Sequence, residues 1–148
     1  MARIERSARF KAPVSEVFDF VADFRTLTQY NPSVLGVTPL TAGPPRKGSR
    51  FQLTLSAFGM RIRPVLTITE FRKHELISTR LDAFVPAAEK RIFRPDEGGS
   101  SLFFFTIEFA SGWPLLGPLV DVALGKGFAE PQADTEIRLL KERFGFDR

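Results

Sequence analysis

The sequence has no cysteine and only one histidine. Disulfides, thiolate nucleophiles and thiolate metal sites are therefore excluded. A zinc site or a Ser–His–acid triad would have to be built around that one imidazole. It is His74, in the polar turn "RKHE", where it reads as a solvated turn residue. Neither a metal nor a cofactor is expected. Long apolar runs are also missing. The opening "MARIERSARF" alternates charged and apolar residues, so no signal peptide, no stable membrane insertion and a cytoplasmic location are expected. Dense basic runs are absent too. The 21 Lys and Arg outnumber the 17 Asp and Glu, but they are scattered and not interleaved with aromatics, so no nucleic-acid partner is expected. "GPPRKGS" lacks the Gly-Lys-Ser/Thr ending of a phosphate loop, and "GKG" at 125–127 lies inside a helical stretch.

Tryptophan and tyrosine occur once each, whereas phenylalanine occurs 16 times. Flat apolar rings in that number suit either a Phe-rich core or a surface for apolar and aromatic partners. The 148 residues fit one domain, residues 1–148, large enough to bury a core.

The hydrophobic period changes along the chain. "IERSARFKAP" alternates as a first strand. In "PVSEVFDFVADF", Val14, Val17, Phe18 and Val21 fall at helical spacing, and Pro13 suits the first helical position, where its missing N–H would be unpaired anyway. "DFRTLTQYNP" predicts a second short helix, capped by Asp23 and stopped by Pro32. From Ser33 to Phe109 the chain reads as strands. "SVLGVTPL" is an edge candidate because of Pro39. "RFQLTLSAF" puts Phe51, Leu53, Leu55 and Ala57 on one face. "RIRPVLTITEF" reads as one strand with Ile62, Leu66 and Ile68 together, after a hairpin turn at "FGM". "LISTRLDAF" and "EKRIFRP" alternate less clearly. Gly98 and Gly99 allow a tight turn before "SLFFFTIEF", where Phe103, Phe105, Ile107 and Phe109 share a face.

Short connections imply an antiparallel meander with one apolar face. Only the C-terminal stretch, 112–144, is long enough to cover that face. The expected fold is α+β: a curved antiparallel sheet of about six to seven strands gripping a long kinked helix, with two short helices after the first strand. The kink is expected at Pro131, whose ring would press on the carbonyl of Gly127. An interior proline costs about 3 kcal/mol and a glycine about 1 kcal/mol relative to alanine. The apolar stripe changes phase there as well. Leu116, Leu119, Val120 and Ala123 share a face before the break; Ala133, Ile137, Leu140 and Phe144 share one after it.

In this order and spacing the chain resembles the START-like helix-grip superfamily, which includes polyketide cyclase/dehydrase-like proteins, lipid-transfer domains and plant pollen allergens. The resemblance rests on "APVSEVFDFVADFRTLTQYNPSV" (Ala12 to Val34), on "EGGSSLFFFTIEF" and on "IRLLKERF", and covers nearly the whole chain. It implies an apolar small molecule, such as a lipid, polyketide, quinone or isoprenoid, held between sheet and helix. Members include cyclases, carriers and regulatory or chaperone-binding modules, so the fold carries over better than the activity.

Geometry then nominates ligand contacts. The sheet offers Phe51, Leu53, Leu55, Leu66, Ile68, Phe103, Phe105 and Ile107, and the first half of the helix offers Leu116, Leu119, Val120 and Ala123. Trp113 and Tyr30, near element ends, are expected at an entrance. These positions contain no acid–base pair, which favours binding over catalysis. An enzymatic alternative, a cyclase, aromatase or dehydratase, needs a polar group in the cavity, from Asp82, Arg80, Arg91 or Tyr30. Glu108 is expected to point outward. A third reading is an interaction module with a collapsed interior. Leu102 and Phe104, on the outward face of the last strand, are the expected contact for a homodimer or a docking partner.

Overall fold

A computed structural model describes residues 2–83, 85–109 and 125–145. The chain opens with strand β1 (Ala2–Phe10), helix α1 (Val14–Ala22), a 3₁₀ turn (Phe24–Thr26) and helix α2 (Leu27–Tyr30). Pro13 caps α1 from outside the helix, and its carbonyl accepts from the N–H groups of Glu16 and Val17. Asp23 caps the 3₁₀ turn, its carboxylate accepting from Arg25 N–H at 3.1 Å. Both helices are short, and they hold their place by burying Val17, Phe18, Val21, Phe24 and Leu27 against the sheet.

Seven strands follow: β2 (Val34–Pro39), β3 (Arg50–Ala57), β4 (Met60–Ile62), β5 (Val65–Arg72), β6 (Leu76–Asp82), β7 (Ala87–Pro95) and β8 (Ser101–Phe109). Every pairing is antiparallel. The order across the sheet is β1-β8-β7-β6-β5-β3-β2, with β4 paired to β3. The edge position of β2 agrees with its proline. The single strand expected from "RIRPVLTITEF" is instead two, β4 and β5, broken at Pro64. A proline cannot donate to a ladder, and here its carbonyl accepts from Leu53 N–H instead. Register shifts between Val34 and Gly36 in the edge strand β2 and between Ile68 and Glu70 in the interior strand β5 bend those strands, which helps curl the sheet into a half-barrel. β8 alternates buried and half-buried residues along its whole length, as its sequence pattern requires.

The C-terminal helix is described from Gly125. Its described part consists of a π-helical turn (Gly125–Ala129) followed by α3 (Glu130–Phe144). Pro131 therefore lies in the first α-helical turn, not in an α-helical interior. The wider π turn accommodates the ring and the missing donor where a regular helix would clash. Ala133, Ile137, Leu140 and Phe144 are buried, as the stripe after the break predicts. Phe144 packs against Phe10 and Phe20, Arg143 lies 3.8 Å from the centre of the Phe20 ring, and Lys11 N–H donates to Gly145 O. Arg6 of β1 pairs with Asp134 at 2.6 Å. α3 is thereby tied to β1 at both ends, through Arg6 with Glu130 and Asp134 near its first turn and through Phe10, Lys11 and Phe144 near its last.

Candidate functional site

A cavity of about 420 Å³ lies between the inner face of the sheet and the start of the C-terminal helix. The sheet contributes Leu53, Leu55 and Ala57 from β3, Leu66 and Leu81 from β5 and β6, and Phe105, Ile107 and Phe109 from β8. The helix contributes Phe128, Ala129, Gln132, Ala133 and Glu136, and α2 and the residue after it contribute Leu27 and Asn31. Gln132 Nε2 donates to Ser33 Oγ, which ties the helix to the segment before β2.

One margin of the cavity is the β3–β4 hairpin. Phe58 and Met60 line it, yet they are 62% and 61% exposed. Phe58 has φ 52°, the left-handed region, in which a bulky residue is strained. Gly59 follows at φ 75° without such strain. The twist of the hairpin aims the Phe58 ring at Phe128 of the π turn, centroid to centroid 5.3 Å.

Of the residues nominated from the sequence, Leu53, Leu55, Leu66, Phe105 and Ile107 line the cavity. Phe51, Ile68, Phe103 and Tyr30 are packed in the core instead. Phe51 stacks on Phe24 at 4.8 Å, Phe103 packs on Phe10 and Phe93, and Ile68 is 1% exposed. Tyr30 is buried against Phe20, not at an entrance, and burial drives its phenol pKa well above the ordinary value. The curl explains the division. It opens the space towards the β3–β4 end and closes the sheet on the α1 side, where rings from α1 and the strands interlock. Trp113, Leu116, Leu119, Val120 and Ala123 lie outside the described residues.

The nominated positions hold no acid–base pair, but the cavity wall also includes ionisable residues: Arg91, a candidate of the enzymatic alternative, and two carboxylates that were not nominated. Arg91, Glu89 and Glu136 all line the space. Arg91 Nη2 donates to Glu136 Oε1 at 2.8 Å, and Nη1 donates to Glu89 Oε2 at 3.1 Å. The guanidinium carbon lies 4.4 Å from the centre of the Phe105 ring. Arg91 and Glu136 have side chains 4% and 1% exposed, so this is a buried ion pair. Burial opposes the charge on Arg91, but two carboxylates outweigh it, and the pKa of Arg91 is raised. Glu136 responds differently. Loss of hydration dominates, Arg91 opposes it, the nearby Glu89 reinforces it, and the carboxyl is pushed up to about 7. One guanidinium cannot fully stabilise two carboxylates, and the more deeply buried one gives way.

The other polar candidates are elsewhere. Arg80 and Asp82 pair with each other at 3.2 Å on the outside, and Glu108 pairs with Arg3 at 3.1 Å on the outer face. Phe104 on that face is half-buried, with Arg94 5.4 Å from its ring centre. His74, at φ 63°, packs its ring edge on Phe18 and faces Asp19 at 3.6 Å.

Glu136 was legible in principle. Ala133, Glu136, Ile137 and Leu140 fall on one helical face, so a carboxylate interrupts an apolar stripe and demands a buried partner. Glu89, Arg91 and Phe93 likewise share one face of β7. The pairing itself, between residues 45 positions apart, is a tertiary fact. Among the described residues no helix is long and apolar enough to cross a membrane.

Comparison with known proteins places this architecture. Residues 1–145 match the family described as polyketide cyclase / dehydrase and lipid transport. A comparison with curated protein sequences finds no match. Among solved structures, a START superfamily protein from Mycobacterium smegmatis superimposes with a TM-score of 0.76 at 19% identity, covering 96% of each chain. The aromatase/cyclase ZhuI from Streptomyces sp. R1128 superimposes with a TM-score of 0.79 at 14% identity, covering 96% of this chain and 92% of its own. A protein from Thermus thermophilus gives 0.78 at 16% identity, covering 97% of each chain. At such identities the structural likeness speaks for the fold, whereas the family match spans nearly all of the sequence: the chain belongs to the polyketide cyclase/dehydrase and lipid transport family, with the START-like helix-grip fold.

Proposed function

We propose that the protein binds an apolar small molecule, such as a lipid, polyketide, quinone or isoprenoid, in the cavity between sheet and helix, as a carrier or sensor. The observation that carries this reading is the character of the space: about 420 Å³ walled by Leu, Ile, Ala and Phe, with its ionisable groups gathered at one cluster. Pockets of this size suit small ligands, and each 100 Å² of apolar ligand surface buried contributes about 2.5 kcal/mol. An interaction module with a vestigial cavity is expected to have a collapsed interior, and the open volume weighs against it.

A second reading has one observation in its favour. A carboxyl with its pKa near 7, beside a guanidinium in a cavity wall, is suited to general acid–base work at neutral pH. The aromatase/cyclase among the structural neighbours makes a polyketide-like substrate the one to try first. Native mass spectrometry of protein purified from cells separates the readings. A retained lipid-like mass, released by organic extraction and rebound on addition, supports the carrier. Conversion of an added poly-β-ketone, lost in Glu136→Gln, supports the enzyme. Extracted protein that rebinds no apolar compound refutes both.

A further inference from the structure

The β3–β4 hairpin closes through a two-residue turn. Ala57 pairs with Met60, and Phe58 and Gly59 between them both have positive φ, 52° and 75°. A turn of this hand favours Asn-Gly or Gly-Gly. Phenylalanine in its first position is strained, and its ring stays mostly exposed. Departures from local preference of this kind concentrate at functional sites. Phe58 is not alone. Among the described residues the exposed large apolar side chains are Leu35, Leu40, Phe58 and Met60. All of them fall within residues 24–69, a stretch that carries Arg25, Arg46, Lys47, Arg50, Arg61 and Arg63 and no acidic residue. Arg61 and Arg63 are exposed on the hairpin itself. Arg3, Arg6, Arg9 and Arg80 each pair with a carboxylate, whereas Arg61 and Arg63 have no such partner among the described residues. The register puts Met60 and Ile62 on the cavity side with Ala57 and Leu55, and Arg61 on the outer side with Ser56. The hairpin thus has an apolar tip and a cationic base, with Arg63 about 10 Å along the strand from Met60.

We propose that the β3–β4 hairpin docks reversibly on an anionic lipid surface, with Phe58 and Met60 entering the acyl boundary and Arg61 and Arg63 pairing with lipid phosphates. Apolar groups of interfacial elements sink about 5–10 Å into that boundary, a depth that matches the spacing from tip to base. The charge on this stretch is of one sign, and an anionic bilayer supplies the opposite sign directly above an apolar layer. A tip of two side chains buries little area against a protein face, whereas a bilayer receives it without a matching cleft. Phe58 and Met60 also line the cavity, so docking sets the cavity margin against the lipid. The docking stands on the hairpin alone. Its use, passage of an apolar ligand between bilayer and cavity, rests on the ligand-binding reading above.

The test is flotation of the protein with vesicles of phosphatidylcholine alone and of phosphatidylcholine with about 30% phosphatidylserine. Binding to the anionic vesicles is expected. Arg61→Gln/Arg63→Gln should weaken it roughly twentyfold, about fivefold for each arginine. Phe58→Asn should weaken it about tenfold. The control Lys73→Gln/Lys90→Gln removes the same charge from exposed positions outside the hairpin and should leave binding within about twofold. Every substituted side chain is exposed, so the fold is expected to survive each change. Equal binding to the two vesicle types, no binding to either, or an equal loss in the lysine control overturns the proposal. Retention on polyglutamate but not on vesicles overturns it in favour of an acidic protein partner. Calorimetric binding of 2-naphthol, an apolar probe of the cavity, is read separately. Failure to dock with naphthol binding intact overturns the docking and leaves the ligand-binding reading standing; docking without naphthol binding does the reverse.

Discussion

Arg91→Met removes the guanidinium and leaves Glu136 buried without its counter-ion, and the cost of doing so depends on pH. In the wild-type protein burial pushes the Glu136 carboxyl from 4.5 to about 7. A raised pKa means that the folded state holds the proton more tightly than the unfolded chain. The favourable contribution is complete below 4.5, is lost as the pH rises to about 7, and changes no further above that. In the variant the carboxyl moves higher still, so its loss of stability continues above pH 7 at about 1.4 kcal/mol per pH unit. Near pH 6 both proteins hold the proton. The substitution then costs one hydrogen bond and the contact of the guanidinium with Phe105, about 1–2 kcal/mol. Near pH 9 roughly 2–3 kcal/mol more is added, for a total of about 4 kcal/mol, within the usual range for a buried pair broken on one side. Glu89 adds little, because its side chain is 23% exposed and can turn to water. Urea denaturation followed by circular dichroism at both pH values measures the difference. The double variant Arg91→Met/Glu136→Leu is expected to lose this pH-dependent penalty and to lie within about 2 kcal/mol of wild type at either pH. A loss in Arg91→Met that is equal at the two pH values refutes the assignment of Glu136 as the buried proton-binding group.

Other substitutions probe the helix, the hairpin and the cavity. Pro131→Ala is expected to change stability by less than about 1 kcal/mol, not the ~3 kcal/mol of an interior proline, because the π turn places the ring in the first α-helical turn; the same denaturation curves decide. Leu55→Trp extends a cavity-lining side chain into open space, so overpacking should stay below about 1 kcal/mol while calorimetric binding of 2-naphthol weakens. Destabilisation beyond about 3 kcal/mol would mean the space does not exist. Phe58→Asn suits the left-handed φ of 52° better than phenylalanine does and removes the ring facing Phe128. The expected outcome is unchanged or slightly higher stability with faster release of bound probe in stopped-flow measurements.

Much of the fold could be read from local pattern. Alternation in "RFQLTLSAF" and "SLFFFTIEF" set both strands and their buried faces, and Pro39 marked an edge. Helical spacing marked Val17, Phe18 and Val21, and the stripe Ala133, Ile137, Leu140, Phe144 set the docking face of α3. Period and turn chemistry are properties of neighbouring residues, so a single chain reveals them. The sheet's curl is different. Its bulges are offsets between paired strands, and they decide why Leu55 faces open space whereas Phe51, on the same face of the same strand, stacks on Phe24. The break at Pro64 and the π turn before Pro131 depended on which backbone groups the tertiary fold supplied as partners. The meeting of Arg91 with Glu136 is the clearest case. Arg91 was singled out from the sequence and Glu136 was not, although its place on an apolar helical face could have marked it; which charges share a desolvated space, and that this space raises the proton affinity of one of them, is decided only when β7 and α3 pack together.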